Sequence, residues 1–511
     1  MVYSVQCLFV GLVLILPMFG PAQEWVVRYN GPCNGYDWAN AIAVDDAGNI
    51  YVTGQSYGAD TNFDYTTVKY DASGVEQWVV RYDGPINDED AALAIALDNV
   101  GNVYVTGASC GPGTSYDITT LKYNASGVEQ WVARYDGPGH WTDWASAIAV
   151  DNEGNIYVTG GSWGSGTYDD YTTIMYNTSG VEQWVARYDG LAKDTDCAYA
   201  IALDNAGNIY VTGHSYGGGT FRDYATVKYD ALGVEQWVVR YNGIGNENDC
   251  AYAIALDSVG DVYVTGKSWG SGTYEDYATV KYNASGVEQW VARYDGSGNG
   301  YDRAYAIAVG NADNIYVTGW SWGSGSSSDY ATVKYDASGV EQWVVRYNGP
   351  SNEADGANAV ALDNAGNIYV TGGSGLGGQG DFATVKYDSW GTEQWVARYN
   401  GPGNGDDGAK AIAFDDAGNI YVTGPSYGSG TSEDYATIKY LPTGVAENTS
   451  TLVDQYKITT TIFSEPLQLP EGKKCTIFDI TGRVVEPAEI TRGIYFVEID
   501  GKVVQKVIKI R

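Results

Sequence analysis

From Glu24 to Tyr440 the chain alternates short apolar runs with clusters of Gly, Asn, Asp and Ser. The alternation is periodic. The Trp of an E-Q-W or E-W motif recurs at Trp25, Trp78, Trp131, Trp184, Trp237, Trp290, Trp343 and Trp395, with six intervals of 53 residues and one of 52. Each period holds four segments of strand character: A-x-A-I-A-V-D, N-I-Y-V-T-G, D-Y-x-T-V-K-Y and V-E-Q-W-V-V-R-Y. All are short, rich in β-branched and aromatic residues, and bounded by turn formers. Self-similarity at such a period marks a repeat architecture, and four antiparallel strands per repeat describe a propeller blade, since radial repetition leaves only short, protected sheet edges. The first segment alternates Ala with larger residues, which suits the crowded innermost strand.

The phase of the repeats predicts how the ring closes. A lone outer-strand motif, Glu24 to Tyr29, opens the series, and the last copy stops at Tyr440 without one. The chain is therefore predicted to be all-β, with an eight-bladed β-propeller over residues 23–440 of four-stranded blades, the last closed by the N-terminal strand. The pattern A-I-A-V-D-x-x-G-N-I-Y-V-T-G followed by V-K-Y-D-x-x-G-V-E-Q-W resembles the bacterial β-propeller repeat SBBP, a family defined by fold and location with no common reaction. The G-V-E-Q-W turn is also similar to the tryptophan-docking motif of eight-bladed quinoprotein dehydrogenases.

The two ends differ from the repeats. Residues 1–22 carry an apolar run from Leu8 to Phe19 followed by Gly20-Pro21-Ala22, which reads as a signal peptide. No later segment could cross a membrane as an apolar helix. After a polar linker, 441–453, residues 454–511 alternate in β fashion and are expected to form a small C-terminal β-sandwich. Its Thr481-Gly482-Arg483 turn, Gly493 to Val497 strand and final Lys506 to Arg511 are similar to the sorting domain of type IX secretion. That resemblance implies export through a type IX-like machinery and release from, or attachment to, a bacterial cell surface.

Charge then narrows the partners. The formal net charge is -34, with 29 Lys plus Arg against 63 Asp plus Glu. Nucleic-acid binders carry the opposite excess, because they neutralise phosphates. From Thr451 onward the chain is near neutral, so the acidity belongs to the propeller. Cys33, Cys110, Cys197, Cys250 and Cys475 are irregularly spaced and odd in number, which is not a disulfide framework; their pairing is left open.

With the Ala-rich strand innermost, the connections sort by face. First-to-second and third-to-fourth turns are tight and nearly identical between copies, apart from Gly310 in place of Asp in the sixth; they read as hairpin chemistry. Second-to-third loops and blade-to-blade links lie on the other face and vary, and variable loops on a repetitive scaffold are where binding usually resides. That face carries Tyr36, Trp38, Tyr57, Trp141, Trp144, Trp163, Tyr168, Trp269, Tyr301, Tyr305, Trp320 and Trp322, the candidate ligand-binding residues. Two readings stand for these rings: wedges between blades, or a platform that stacks on sugars.

Two recurrent carboxylate series lie on the same side. One, Asp37, Asp90, Asp143, Asp196, Asp249, Asp302, Asp355 and Asp407, precedes the inner strand, and the other runs from Asp64 to Asp434 before the third. Recurrence favours Asp accepting backbone N–H bonds where loops enter strands; calcium, which needs six to eight oxygens, is the competing reading. No catalytic residues are assigned. His140 and His214 stand alone and are expected in loops, and Arg222 and Arg303 are the two Arg of the propeller outside the repeated W-V-x-R-Y strand. The leading expectation is a secreted or cell-surface, non-catalytic binding or adhesion module for an extracellular glycan or protein. The alternatives are a secreted carbohydrate-active enzyme with an acidic central site and a structural surface-layer component.

Overall fold

The computed structural model describes residues 23–59, 62–325, 327–376 and 379–442, together with 459–463, 475–479, 485, 493–499 and 502–509. The expected signal peptide and most of the expected linker lie outside the described residues. The chain divides into two compact units, with the boundary between Ala446 and Glu447.

Alternating strands and turns give eight four-stranded antiparallel sheets in the first unit. Blade 1 runs Asp37–Val44, Ile50–Tyr57, Phe63–Tyr70 and Glu76–Tyr82 from inner to outer strand, and blades 2 to 7 follow the same order. Blade 8 takes Ala411–Phe414, Ile420–Tyr427 and Glu433–Tyr440 from the end of the repeats and Gln23–Tyr29 as its outer strand. The ring is thus an eight-bladed propeller closed by both ends of the repeat region. Its inner strand in blade 8 is short because Pro425, opposite Gly408, has no N–H to give the ladder.

The core is a set of layers between blades. Tyr51 and Tyr65 of blade 1, for example, pack with Ala92, Val103, Val105, Leu121 and Tyr123 of blade 2. The recurrent Trp, half-buried except for the buried Trp395, reaches the next blade: Trp78 Nε1 donates to the Ala125 carbonyl at 3.2 Å, and a Cβ on Gly127 (φ 78°) would sit 2.8 Å from the Trp78 ring. The Gly of the A-S-G turn therefore serves two ends, a left-handed turn position and a seat for the neighbour's indole.

Seven inner strands contain a bulge that the alternation of Ala does not announce. Ala39 pairs with Gly54 and Ala41 with Thr53, leaving Asn40 as the extra residue. The bulge presses the Trp38 carbonyl against Gly54, where a Cβ would overlap it. This explains the Gly of every T-G pair. At the turns Asn124 accepts the N–H groups of Ser126 and Val128, both at 3.0 Å, so its side chain has a structural task.

In the second unit the described strands, Thr459–Phe463, Cys475–Asp479, Gly493–Ile499 and Lys502–Lys509, form one four-stranded mixed sheet. The first pairs parallel with the last. Ile477 and Val485 are buried. A sandwich as such lies outside the described residues.

A candidate ligand-binding mouth

The turns 45–49 and 71–75 of blade 1 and their copies fall on one face of the ring, and the second-to-third loops and blade links on the other. At that loop face, strand pairing sorts each blade's side chains into two sets. Trp38 stands opposite Gln55 and Ser56 opposite Asp64, so Asp37, Ser56, Asp64 and Arg81 share one side of the sheet, while Trp38, Gln55, Tyr57 and Phe63 share the other.

The first set is the same in every blade. Arg81 holds Asp64 at 2.7 Å, the Ser56 hydroxyl at 2.5 Å and carbonyl at 2.8 Å, and the Tyr29 hydroxyl of the preceding blade at 3.2 Å. Equivalent Arg–Asp pairs, 2.7–2.9 Å long, occur in all eight blades. The Asp37 series is buried and accepts one N–H from the link before it and one from the end of its blade's second strand: Asp143 takes Gly137 at 2.6 Å and Trp163 at 2.9 Å, and Asp407 takes Gly401 at 2.5 Å and Tyr427 at 2.7 Å. Burial pushes the pKa of Asp90, Asp196, Asp249 and Asp302 up to about 6.

The second set changes from blade to blade. The position of Trp38 holds Cys197, Cys250 and Arg303 in blades 4 to 6, that of Gln55 holds His214, Lys267 and Trp320, and that of Phe63 holds Arg222, Glu275 and Ser328. The bulge position there carries Tyr199, Tyr252 and Tyr305, whose rings touch around the central channel at 5.6 and 5.4 Å. The contacts continue outward. Trp320 Nε1 donates to Tyr305 at 3.0 Å, Arg303 lies 5.2 Å over Trp320 and 5.8 Å over Tyr301, and Tyr301 meets Tyr274 at 4.9 Å and Trp269 at 6.3 Å. One arc of rings thus runs from the channel wall to the rim.

Of the twelve aromatic residues expected to form the binding face, Tyr36, Tyr57, Trp141, Tyr168, Tyr301 and Trp322 are exposed. Trp38, Trp144, Trp163, Trp269, Tyr305 and Trp320 are half-buried. Besides the arc, Tyr36, Trp38, Phe63 and Tyr57 form a second group with spacings of 5.8, 5.3 and 5.4 Å, and Trp163 meets Tyr168 at 5.3 Å. Trp141 is 59% exposed. The expectation missed Phe221 and Tyr274, both exposed; they occupy the same loop position as Tyr168, so superposing the copies exposes them.

His214 overturns its expected place in a loop. It lies in the second strand of blade 4, Ile209–Tyr216, because the T-G-x-S segment is strand in every copy. It is 1% exposed, and neither ring nitrogen has a hydrogen-bond partner among the described residues. Burial, then the charges of Arg222 and Lys267, push its pKa down to about 3, so the imidazole is neutral. Arg222 lies 5.5 Å over Tyr216, and its Nε is buried without a partner. Glu275 is neutralised between Lys267, at 2.6 Å, and Arg303. Cys33, Cys110, Cys197 and Cys250 are free thiols. Burial raises the pKa of Cys197 and Cys250 and keeps them protonated.

The turn face departs from the repeat in blade 6. Asp45 accepts from Asn49 and, at 3.0 Å, from Tyr51; Gly310 replaces it, and Ala312 and Asp313 turn left-handed at φ 56° and 53°. A recess of about 690 Å³ opens there among Asp257, Gly310, Asn311, Lys334, Asp363 and Ser389. Its single aromatic is Tyr316, and nothing comparable to the arc lines it.

Fold and site together define a β-propeller whose repeats are structural and whose varied aromatic side chains gather mainly at one mouth. The chain carries SBBP beta-propeller repeats, matched at residues 25–63, 130–166, 183–219, 236–272 and 394–430. It is 23% identical over 443 residues to an uncharacterized WD repeat-containing protein of Acanthamoeba polyphaga mimivirus, covering 70% of this chain and 31% of that one. The chain thus spans under a third of that relative's length. Among solved structures it is similar to the polysaccharide lyase Uly1 (TM-score 0.43, 11% identity, 82% of this chain and 99% of that one). It is also similar to an ulvan lyase (TM-score 0.39, 14% identity, 73% and 95%) and a eukaryotic initiation factor (0.37, 9%, 72% and 89%). These likenesses are of fold alone.

Proposed function

We propose that the propeller is a binding module that takes an extended glycan across the loop-face mouth, from the rim at Trp269, Tyr274 and Tyr301 to the channel wall at Tyr305, Tyr252 and Tyr199. The arc of rings over blades 4 to 6 carries this reading. In a chain that otherwise repeats itself, aromatic surface that varies, touches and stays partly exposed suits the apolar faces of sugar rings. Arg222, which has no carboxylate partner among the described residues, suits an acidic substituent on the same polymer. Export to a cell exterior, as the ends of the chain imply, gives such a module its ligand.

Affinity electrophoresis against neutral and acidic polysaccharides tests the proposal. Stacked rings contribute about 0.5–1.5 kcal/mol each, so replacing Tyr274 and Tyr301 by Ala should weaken binding about tenfold. Trp390→Ala, at an 80% exposed ring on the turn face, should change nothing. Retention of no polysaccharide, or equal retention by all three proteins, would refute the reading.

A catalytic reading rests on Asp169, whose pKa burial and the charges of Asp143 and Asp170 push up to about 6, and whose buried Oδ1 has no partner. New chain ends released from a bound polymer, and lost in Asp169→Asn, would support it.

A further inference from the structure

We infer that four junctions between consecutive blades on the loop face, 1/2, 2/3, 3/4 and 5/6, each bind a divalent oxygen-seeking cation, calcium by preference. At each, three carboxylates offer oxygens within 4.8 Å of one another: Asp117, Asp136 and Asp143 at junction 2/3, and the same three positions at the others. Two of the three are buried; the middle one, on the blade link, is exposed.

A second observation separates this from an ordinary acidic patch. Asp117, Asp170 and Asp276, each only 4–5% exposed, give one oxygen to an Arg and keep Oδ1 buried with no hydrogen-bond partner. A buried carboxylate oxygen without a donor is costly, and a cation removes the cost. Three carboxylates and one guanidinium leave two negative charges, which a divalent ion cancels. Carboxylate oxygens that already accept backbone N–H bonds, as those of Asp143 do, retain a lone pair each for a metal.

The ring supplies its own comparison. At the remaining junctions Asn stands at the link position, and its amide is tied to a second Asn, as in Asn242 to Asn246 at 2.8 Å. The buried oxygen recurs there at Asp223 and Asp434; what those junctions lack is the third carboxylate. Changing Asp83, Asp136, Asp189 and Asp295 together to Asn therefore places at each link the residue that the other four junctions carry. Full-length protein is stripped with chelator, and uptake of calcium and terbium is measured by calorimetry and by luminescence excited through Trp and Tyr. The expected result is about four ions per chain, with loss of all four in the quadruple variant and of one in Asp136→Asn alone. No uptake at millimolar calcium, or equal uptake by the quadruple variant, would overturn the inference.

Discussion

The two faces of the ring are built from the same eight copies, yet one is uniform and the other is not. On the turn face Asp, Asn and Gly hold nearly identical hairpins, and the departure at Gly310 leaves a recess with a single ring. On the loop face an invariant set and a varied set alternate along the same strands, one on each side of the sheet. Asp37, Ser56, Asp64 and Arg81 fasten blade to link with fixed geometry, which frees Trp38, Gln55, Tyr57 and Phe63 to vary. A repeat scaffold can thus change the side chains one residue away from its own staples.

The comparison breaks most visibly at the staples. Arg240→Ala leaves Asp223 buried without its cation, and removing one partner of a buried pair costs about 3–5 kcal/mol; equilibrium denaturation should show a loss of that order. A smaller effect is expected at the Trp seats. Gly127→Ala must strain a left-handed residue and displace Trp78, for about 1–3 kcal/mol. Gly113→Ala, equally left-handed at φ 87° but with nothing within 4 Å, should cost about 1 kcal/mol. The difference between the two melting temperatures measures the docking contact.

His214 tests the varied side through pH. Its folded pKa of about 3 lies below that of an unfolded His near 6.5, so the unfolded chain takes up the proton first. The stability from keeping it neutral is complete above about pH 6.5 and is lost as pH falls toward 3. Relative to His214→Phe, the wild type should lose about 1.4 kcal/mol per pH unit across that window, read from paired denaturation curves. If the two proteins stay parallel from pH 6.5 to 4, the imidazole is not buried and neutral. The smallest effect on stability is expected at the rim, where Tyr274→Ala and Tyr301→Ala should each stay within about 0.5 kcal/mol.

Much of this was legible in the chain. Period and phase gave eight blades and the composite eighth because each strand signal is repeated eight times and one motif is missing from the end. The inner-strand bulge was not legible, since Asn40 and Tyr199 look like ordinary members of an alternating strand; only the unvarying Gly54 hinted at close backbone approach. Exposure was legible for half of the candidate aromatics. Trp38 and Tyr57 lie on the same side of one sheet and both meet Phe63, but Trp38 also reaches Glu433 of blade 8 while Tyr57 stays exposed. Contacts between blades depend on pairs separated by a full repeat, and spacing within one copy cannot reveal them.

If the varied side of blades 4 to 6 binds and the turn face does not, affinity electrophoresis of the wild type, the Tyr274→Ala/Tyr301→Ala double variant and Trp390→Ala on the same set of polysaccharides separates them. Wild type and Trp390→Ala should be retained by at least one polymer, with about tenfold weaker retention of the double variant. Equal retention of all three proteins, or weakening by Trp390→Ala alone, would contradict that reading.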